Sequence, residues 1–352
     1  MRFQLDPQER PDTALRRIGG ALIDDAIAQV DDPNVPTDEA VHEARKDIKK
    51  LRGLLRLVRP AAPDLYKTEN RALRDAAAHL ALVRDADAAL ETFDLVLRRA
   101  QPKSDEGAKF AAACGKQAGQ PSLHDDVEPL ELGSLRARLV AYQEEVHAGA
   151  GDVPQRLAQF RTRMREARAR VDNWQLPCPD EPAHDFDLLG PGLAKTYKRG
   201  RKAMQRAYKE PSVEAFHDWR KRTKYLGYHL RLLQPAWPKL LKAQRQAVKD
   251  LQSLLGDDHD LAVLAELLRT LRKNGQQASA SSEAELALNS EMRRQSELLR
   301  RRARGLGNII YVDPPTPLRR LLAAYCPQAQ THAYCPTAHR PPRLPKGGSH
   351  GR

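Results

Sequence analysis

The sequence predicts an all-α fold made of two pseudo-symmetric helical bundles that arise from an internal duplication. The 352 residues are dominated by Ala, Leu, Arg, Glu and Gln, which are strong helix formers. Alternating β-branched runs, the mark of strands, are nearly absent, and the exception at 308–312 is short. One helical segment also recurs in the same register 175 residues further along the chain.

Clusters of Pro and Gly divide the chain into predicted helices. These cover residues 9–30, 38–58, 64–83, 85–100, 130–148, 155–171, 193–208, 213–233, 238–255, 258–273 and 282–304. The break at 172–192 is the richest in such residues and is interpreted as a linker between a first half, 1–171, and a second half, 193–305. Residues 306–352 contain PPTP, RPPRLP and KGGSHGR, and we expect a Pro-rich, partly disordered tail there.

The repeat pairs residues 39–60 with residues 214–235 without a gap. Eleven of the 22 aligned positions are identical, among them the pairs His42 with His217 and Lys49 with Lys224. Two copies of one unit are usually arranged about a pseudo-two-fold axis, so that equivalent faces converge.

Each copy carries an apolar stripe at helical spacing and, about 100° around the helix, a cationic stripe. Like charges at i,i+4 repel, and no acid interrupts these stripes. Because the pattern recurs in register, it favours an anion-binding face over a solvated one. The two motif histidines have a second interpretation, a hydrogen bond to a neighbouring helix. The cationic positions are His42, Arg45, Lys46, Lys49, Arg52, Arg56 and Arg59 in the first copy, and His217, Arg220, Lys221, Lys224 and Arg231 in the second.

A third basic helix precedes the second copy. Its cations share one helical face, and no acid lies between residues 193 and 208. The first half has Asp24 and Asp25 at the equivalent positions, so we expect the second half to be more basic. The cations of this helix are Lys195, Lys198, Arg199, Lys202 and Arg206.

The charge balance narrows the class of partner. A formal net charge of +13 points to nucleic acid, a membrane surface or a phosphate polymer. No apolar run is long enough to span a membrane, and the first 17 residues lack the apolar region of a signal peptide. Four cysteines form no disulfide framework in a chain of this length, which fits a reducing compartment. A zinc site in the tail is not predicted, since its candidate residues match no ordinary zinc spacing: Cys326, His332, Cys335 and His339.

The motifs VHEARKDIKKLR (41–52), LALVRDAD (80–87), TYKRGRKA (196–203), FHDWRKRTKYLGY (216–228) and LLGDDHD (254–260) resemble the CHAD domain, the conserved histidine α-helical domain, over roughly residues 8–305. The resemblance implies two similar bundles with a basic surface for inorganic polyphosphate at their junction. It also implies a cytoplasmic location at polyphosphate granules. Gly227 stands where the family usually has a basic residue. The predicted polyphosphate-binding residues are His42, Arg45, Lys46, Lys49, Lys50, Arg52, Arg56, Lys195, Lys198, Arg199, Lys202, Arg206, His217, Arg220, Lys221, Lys224 and Arg231.

Two alternatives to polyphosphate binding remain. Nucleic acid is expected to bind more weakly, because single-strand binders interleave aromatic and basic residues, whereas residues 41–60 contain no aromatic residue. A helical metal-dependent phosphohydrolase would need residues 256–260, Gly-Asp-Asp-His-Asp, together with His217 and His229. The repeat places Arg84 where His259 stands, so Asp257 or Asp258 is instead predicted to cap the next helix. We therefore predict no catalytic residue, cofactor or metal.

Overall fold

The computed structural model describes residues 3–80, 84–101, 104–114, 129–149, 151, 153–177, 186–274 and 282–312. These residues form helices and turns with no strand among them, so the all-α prediction is confirmed. The helices are α1 (Pro11–Asp31), α2 (Thr37–Val58), α3 (Pro63–Ala78), α4 (Arg84–Ala100), α5 (Asp105–Cys114), α6 (Pro129–Ala148), α7 (Val153–Val171), α8 (Gly190–Lys209), α9 (Val213–Leu233), α10 (Pro238–Asn274) and α11 (Glu283–Ile310).

The predicted break between residues 255 and 258 is wrong, because α10 is one continuous helix of 37 residues that includes these positions. A glycine inside a helix costs about 1 kcal/mol relative to alanine. That cost is outweighed here, since Leu255 and Leu261 are both buried on either side of Gly256. Helix α11 ends at Ile310, so it includes most of the short segment at 308–312 that has strand character in the sequence.

The apolar side chains form two cores. The first lies among α1, α2, α3, α7, α8, α9, the first half of α10 and the C-terminal part of α11, with Trp219 and Phe160 fully buried in it. The second lies among α4, α5, α6, the second half of α10 and the N-terminal part of α11. Each core draws helices from both sides of the predicted linker, and α10 contributes to both.

The two repeated helices, α2 and α9, cross at Gly53. A Cβ at this position would lie 2.9 Å from Cδ2 of Tyr228, so glycine permits the close approach. The Nε2 atom of His229 donates a hydrogen bond of 2.9 Å to the Gly53 carbonyl oxygen. The 175-residue offset pairs Gly53 with Tyr228, and a two-fold axis between the copies would require such a self-equivalent contact. The duplication itself stays a prediction, which superposition of the two halves would test.

Helix α8 is brought against the end of α2 by a second close approach. A Cβ at Gly192 would overlap the carbonyl oxygen of Leu57, so a larger residue would push the two helices apart. The C-terminal half of α2 therefore lies beside both α8 and α9, and this arrangement positions the site described next.

Candidate anion-binding site

Five arginines from three helices meet where α2, α8 and α9 pack together. We call this group the central arginine cluster. The positive charges of Arg52 and Arg222 act on Arg56, and those of Arg222 and Arg59 act on Arg199. Its members are Arg52 and Arg56 on α2, Arg59 at the C-terminal cap of α2, Arg199 on α8 and Arg222 on α9.

Uncharged side chains hold several of these arginines in place. Asn70 of α3 accepts hydrogen bonds from Nε of Arg52 (3.1 Å) and from Nη1 of Arg56 (3.3 Å). The Arg56 guanidinium lies 3.8 Å from the ring centroid of Tyr225, and that of Arg59 lies 4.7 Å from the ring centroid of Tyr66. These partners orient the guanidinium groups without neutralising them.

The cluster holds more positive charge than its surroundings balance. In the described part of the chain, Asp218 is the carboxylate that pairs with a member, at 2.8 Å from Nη2 of Arg222. Burial lowers the pKa of Arg56 and of Arg199, and the neighbouring arginines lower both pKa values further. Nε of Arg56 is buried and lacks a hydrogen-bond partner among the described residues. Positive charge that is partly removed from water and left unbalanced is costly unless an anion binds to it.

A second basic group lies on α9 and faces α10. The ring of His217 lies 4.4 Å from that of His259, centroid to centroid. Burial, followed by the charge of Arg220, lowers the pKa of His259 to about 4, and burial also lowers the pKa of His217. Both rings are therefore neutral near pH 7, beside the charges of Lys221 and Lys224.

The equivalent end of α2 has a different environment. His42 lies 3.8 Å from Oε1 of Glu43, which also pairs with Lys46 at 2.9 Å. The same end of α2 borders a cavity of about 1400 Å³ whose lining is rich in carboxylates. The two motif histidines are thus identical in sequence but differ in electrostatic surroundings. The lining carboxylates are Asp38, Glu39, Glu43, Asp87, Glu91 and Asp94.

Other predicted residues have structural contacts of their own. Nη1 of Arg45 donates to the carbonyl oxygen of Leu80 at 2.8 Å, whereas Arg220 lies 3.9 Å from Asp260 of α10. Arg45 and Arg220 are equivalent in the repeat, yet they contact different helices.

The remaining predicted cations divide into paired and exposed groups. Lys50 pairs with the buried Asp47, and Arg231 lies over the ring of Phe3. Arg206 of α8 lies 4.0 Å from Glu210. The three predicted lysines of α8 are exposed: Lys195, Lys198 and Lys202.

The structure places three of the predicted residues near one another, Arg52, Arg56 and Arg199, and adds neighbours that the sequence pattern did not indicate. Arg222 was missed because its repeat equivalent is Asp47, so the position carries no recurring charge. Tyr66, Asn70 and Tyr225 approach the cluster only through the packing of α3 and α9 on α2. Arg59 belongs to the cationic stripe but was not included in the predicted set.

The acidic run in α10 has a structural role. The prediction that Asp257 or Asp258 caps a helix is wrong, because both lie within α10. Asp257 pairs with Arg99 of α4, and Asp258, which is 3% exposed, pairs with Arg300 of α11 at 2.8 Å. These pairs join α10 to α4 and α11.

One histidine of the phosphohydrolase alternative, His229, lies apart from the other two. His229 bonds to Gly53 on α2, whereas His217 stacks on His259. No group of three His, Cys, Asp or Glu side chains that could hold a metal ion occurs in the described ranges. The tail candidates, Cys326, His332, Cys335 and His339, lie outside the described residues.

The family profile of the CHAD domain matches residues 21–269, and the chain belongs to this family. A solved structure, the CHAD domain from the plant Ricinus communis, is similar with a TM-score of 0.48 and 20% sequence identity, over 84% of this chain and 89% of that one. No curated protein matches the sequence. Among the described helices, none is long and apolar enough to cross a membrane.

Proposed function

We propose that the protein binds inorganic polyphosphate without catalysis, in a basic groove centred on the central arginine cluster. The observation that carries the proposal is the unbalanced charge of the cluster: five arginines, with Asp218 as the one carboxylate paired to them among the described residues. Membership of the CHAD family supports the choice of ligand. Association with polyphosphate granules in the cytoplasm is part of this proposal.

The residue types suit a flexible phosphate polymer. Planar guanidinium groups bind phosphate oxygens in pairs, and the lysine ammonium groups act as mobile point charges. From the cluster, the exposed lysines of α8 extend the basic surface in one direction, and Lys221, which shares Asp218 with Arg222, extends it along α9. A polymer that contacts several of these groups at once gains affinity through linkage within a single ligand.

Nucleic acid is the weaker alternative for a structural reason. Single-strand binders need aromatic faces on which bases stack. At the cluster, the ring of Tyr225 is covered by Arg56 and that of Tyr66 by Arg59, so neither ring offers an open face on that side. A cation–π contact occupies the face of a guanidinium group, so the N–H donors at its edge that bond no other group remain for phosphate oxygens.

Neutralisation of two cluster residues tests the proposal. Arg199→Gln with Arg222→Gln should weaken binding of long-chain polyphosphate and make the plot of log affinity against log salt shallower by roughly one unit per lost phosphate contact. The matched control is Arg138→Gln with Lys242→Gln, which removes the same charge at exposed positions on α6 and α10. An equal loss in the control would contradict a localised groove.

Two further measurements separate the alternatives. Single-stranded DNA should compete poorly with long-chain polyphosphate at about physiological salt, and equal or tighter DNA binding would favour nucleic acid as the ligand. Phosphate release from long-chain polyphosphate should be absent with and without divalent metal. Release that requires the metal would instead favour the phosphohydrolase.

A further inference from the structure

A second cationic groove lies between α8 and α11. Its cavity volume is about 560 Å³, within the range of small-molecule sites. Three cations and two amide side chains line it, and none of its lining residues is a carboxylate. The polar lining residues other than tyrosine are Arg201, Gln205, Lys209, Arg304 and Asn308.

This groove is separate from the central arginine cluster. Arg201 and Arg199 are two positions apart on α8, so their side chains diverge by about 200° around the helix axis. Arg199 faces α2 and α9, where the charges of Arg59 and Arg222 act on it. Arg201 lies on the other flank of α8, next to Arg304 of α11.

The floor of the groove rests on the first core. The hydroxyl of Tyr208 donates to the carbonyl oxygen of Arg300 at 2.7 Å, and its ring packs edge-on against Phe216 and Trp219. Tyr311, which is 2% exposed, packs against Tyr197. The walls are therefore fixed before any ligand binds, which reduces the ordering cost of binding.

The cations of the groove are held without being neutralised. The guanidinium of Arg304 lies 5.1 Å from the ring centroid of Tyr208. The nearest acid along α8, Glu210, lies 4.0 Å from Arg206, and Asp258 pairs with Arg300. No ion pair to Arg201, Lys209 or Arg304 occurs within the part of the chain that the structure describes.

We propose that the α8–α11 groove is a second anion site that binds a short linear oligophosphate group. Arg201 and Arg304 would bind phosphate oxygens with paired N–H donors, and Lys209 would add a point charge. The amides of Gln205 and Asn308 supply donors for the remaining oxygens. Its cations lie within one groove of about 560 Å³, which suits a few phosphates rather than a long polymer.

Two sources could supply such a group. One is the end of a polyphosphate chain that is bound at the central cluster and crosses α8 over Lys198 and Lys202, and this source rests on the proposed function. The other is a free metabolite with several linked phosphates, which is independent of the proposed function.

Titration calorimetry of the full chain with tripolyphosphate tests the site. The central cluster is first neutralised by Arg199→Gln with Arg222→Gln, and this protein should still bind one tripolyphosphate. Adding Arg201→Gln and Arg304→Gln should weaken that binding at least tenfold, while circular dichroism stays unchanged. Arg201→Gln alone gives a second test, since it leaves the contact between Arg304 and Tyr208 in place.

The outcomes are distinct. Unchanged tripolyphosphate binding after the groove substitutions would overturn the site, and so would an equal loss with Arg138→Gln and Lys242→Gln. If ATP binds the central-cluster variant with an affinity similar to that of tripolyphosphate, a free metabolite is identified as the source. Weaker long-chain polyphosphate binding from the groove substitutions in an otherwise native protein would identify the polymer end. Failure of the proposed function is a separate result. In that case, the affinity for long-chain polyphosphate would not change with Arg199→Gln and Arg222→Gln.

Discussion

His229 should make the protein lose stability in mild acid. Its side chain is fully buried at the crossing of α2 and α9. Because the Gly53 carbonyl can only accept, Nε2 of His229 carries the proton of that hydrogen bond. The other ring nitrogen, Nδ1, is buried without a hydrogen-bond partner among the described residues. Protonation of Nδ1 would therefore create a buried charge, which the nearby charge of Arg56 opposes further.

The size of the effect follows from the pKa. Burial lowers the pKa of His229 from 6.5 to about 4, with the Gly53 hydrogen bond acting in the opposite direction and Arg56 in the same one. Below pH 6.5 the unfolded chain binds a proton that the folded protein does not, so stability falls between pH 6.5 and about 4. One pKa unit corresponds to about 1.4 kcal/mol, which gives a loss of about 2 kcal/mol by pH 5 and about 3.4 kcal/mol at the limit.

Urea unfolding at pH 7.5, 6.0 and 5.0 measures this loss. His229→Gln keeps a donor for the Gly53 carbonyl and removes the titration, so its free energy of unfolding should fall by about 2 kcal/mol less than that of the native protein between pH 7.5 and 5.0. His259→Gln measures separately how much the other histidine with a pKa of about 4 contributes to the pH dependence of stability. If His229→Gln shows the same pH dependence as the native protein, the buried neutral imidazole is not the cause.

Three further changes probe packing and charge. Gly53→Ala would place its Cβ 2.9 Å from Tyr228 and should lower stability by about 1–3 kcal/mol in urea unfolding, despite the better helix propensity of alanine. Trp219→Ala, at a fully buried position, should cost about 3–5 kcal/mol, whereas Leu286→Ala, at a side chain 57% exposed, should cost little. Arg199→Gln should leave the melting temperature unchanged or raise it, because burial and the like charges of Arg222 and Arg59 both disfavour the charged guanidinium at this position; a clear drop would show that Arg199 stabilises the fold.

The sequence predicts most of the helices because their signals are local. The bounds of α9 were predicted as residues 213–233, and its start has a clear cap, in which the Ser212 side chain accepts from the amide of Ala215. The predicted break in α10 is wrong. Gly256 is a local signal for a helix end, but the buried leucines on both sides of it keep the helix continuous. Tertiary packing of this kind cannot be read from propensity.

The site was only partly predictable for the same reason. The cationic stripe pointed to Arg52 and Arg56, and the basic face of α8 pointed to Arg199. Arg222 lies outside the repeated stripe, and only the packing of α9 against α2 and α8 brings it to the others. The repeat also suggested equal roles for the two motif histidines, yet the helices that surround them carry different charges.

The length of α10 ties the two cores into one mechanical unit. At 1.5 Å per residue its 37 residues form a rod about 55 Å long, and its buried leucines pass from one core to the other without an interruption. Because α10 supplies packing surface to both cores, unfolding of one core should propagate to the other. The protein should then unfold as a single cooperative body, and a fragment ending before Pro238 would lack part of the packing surface of both cores.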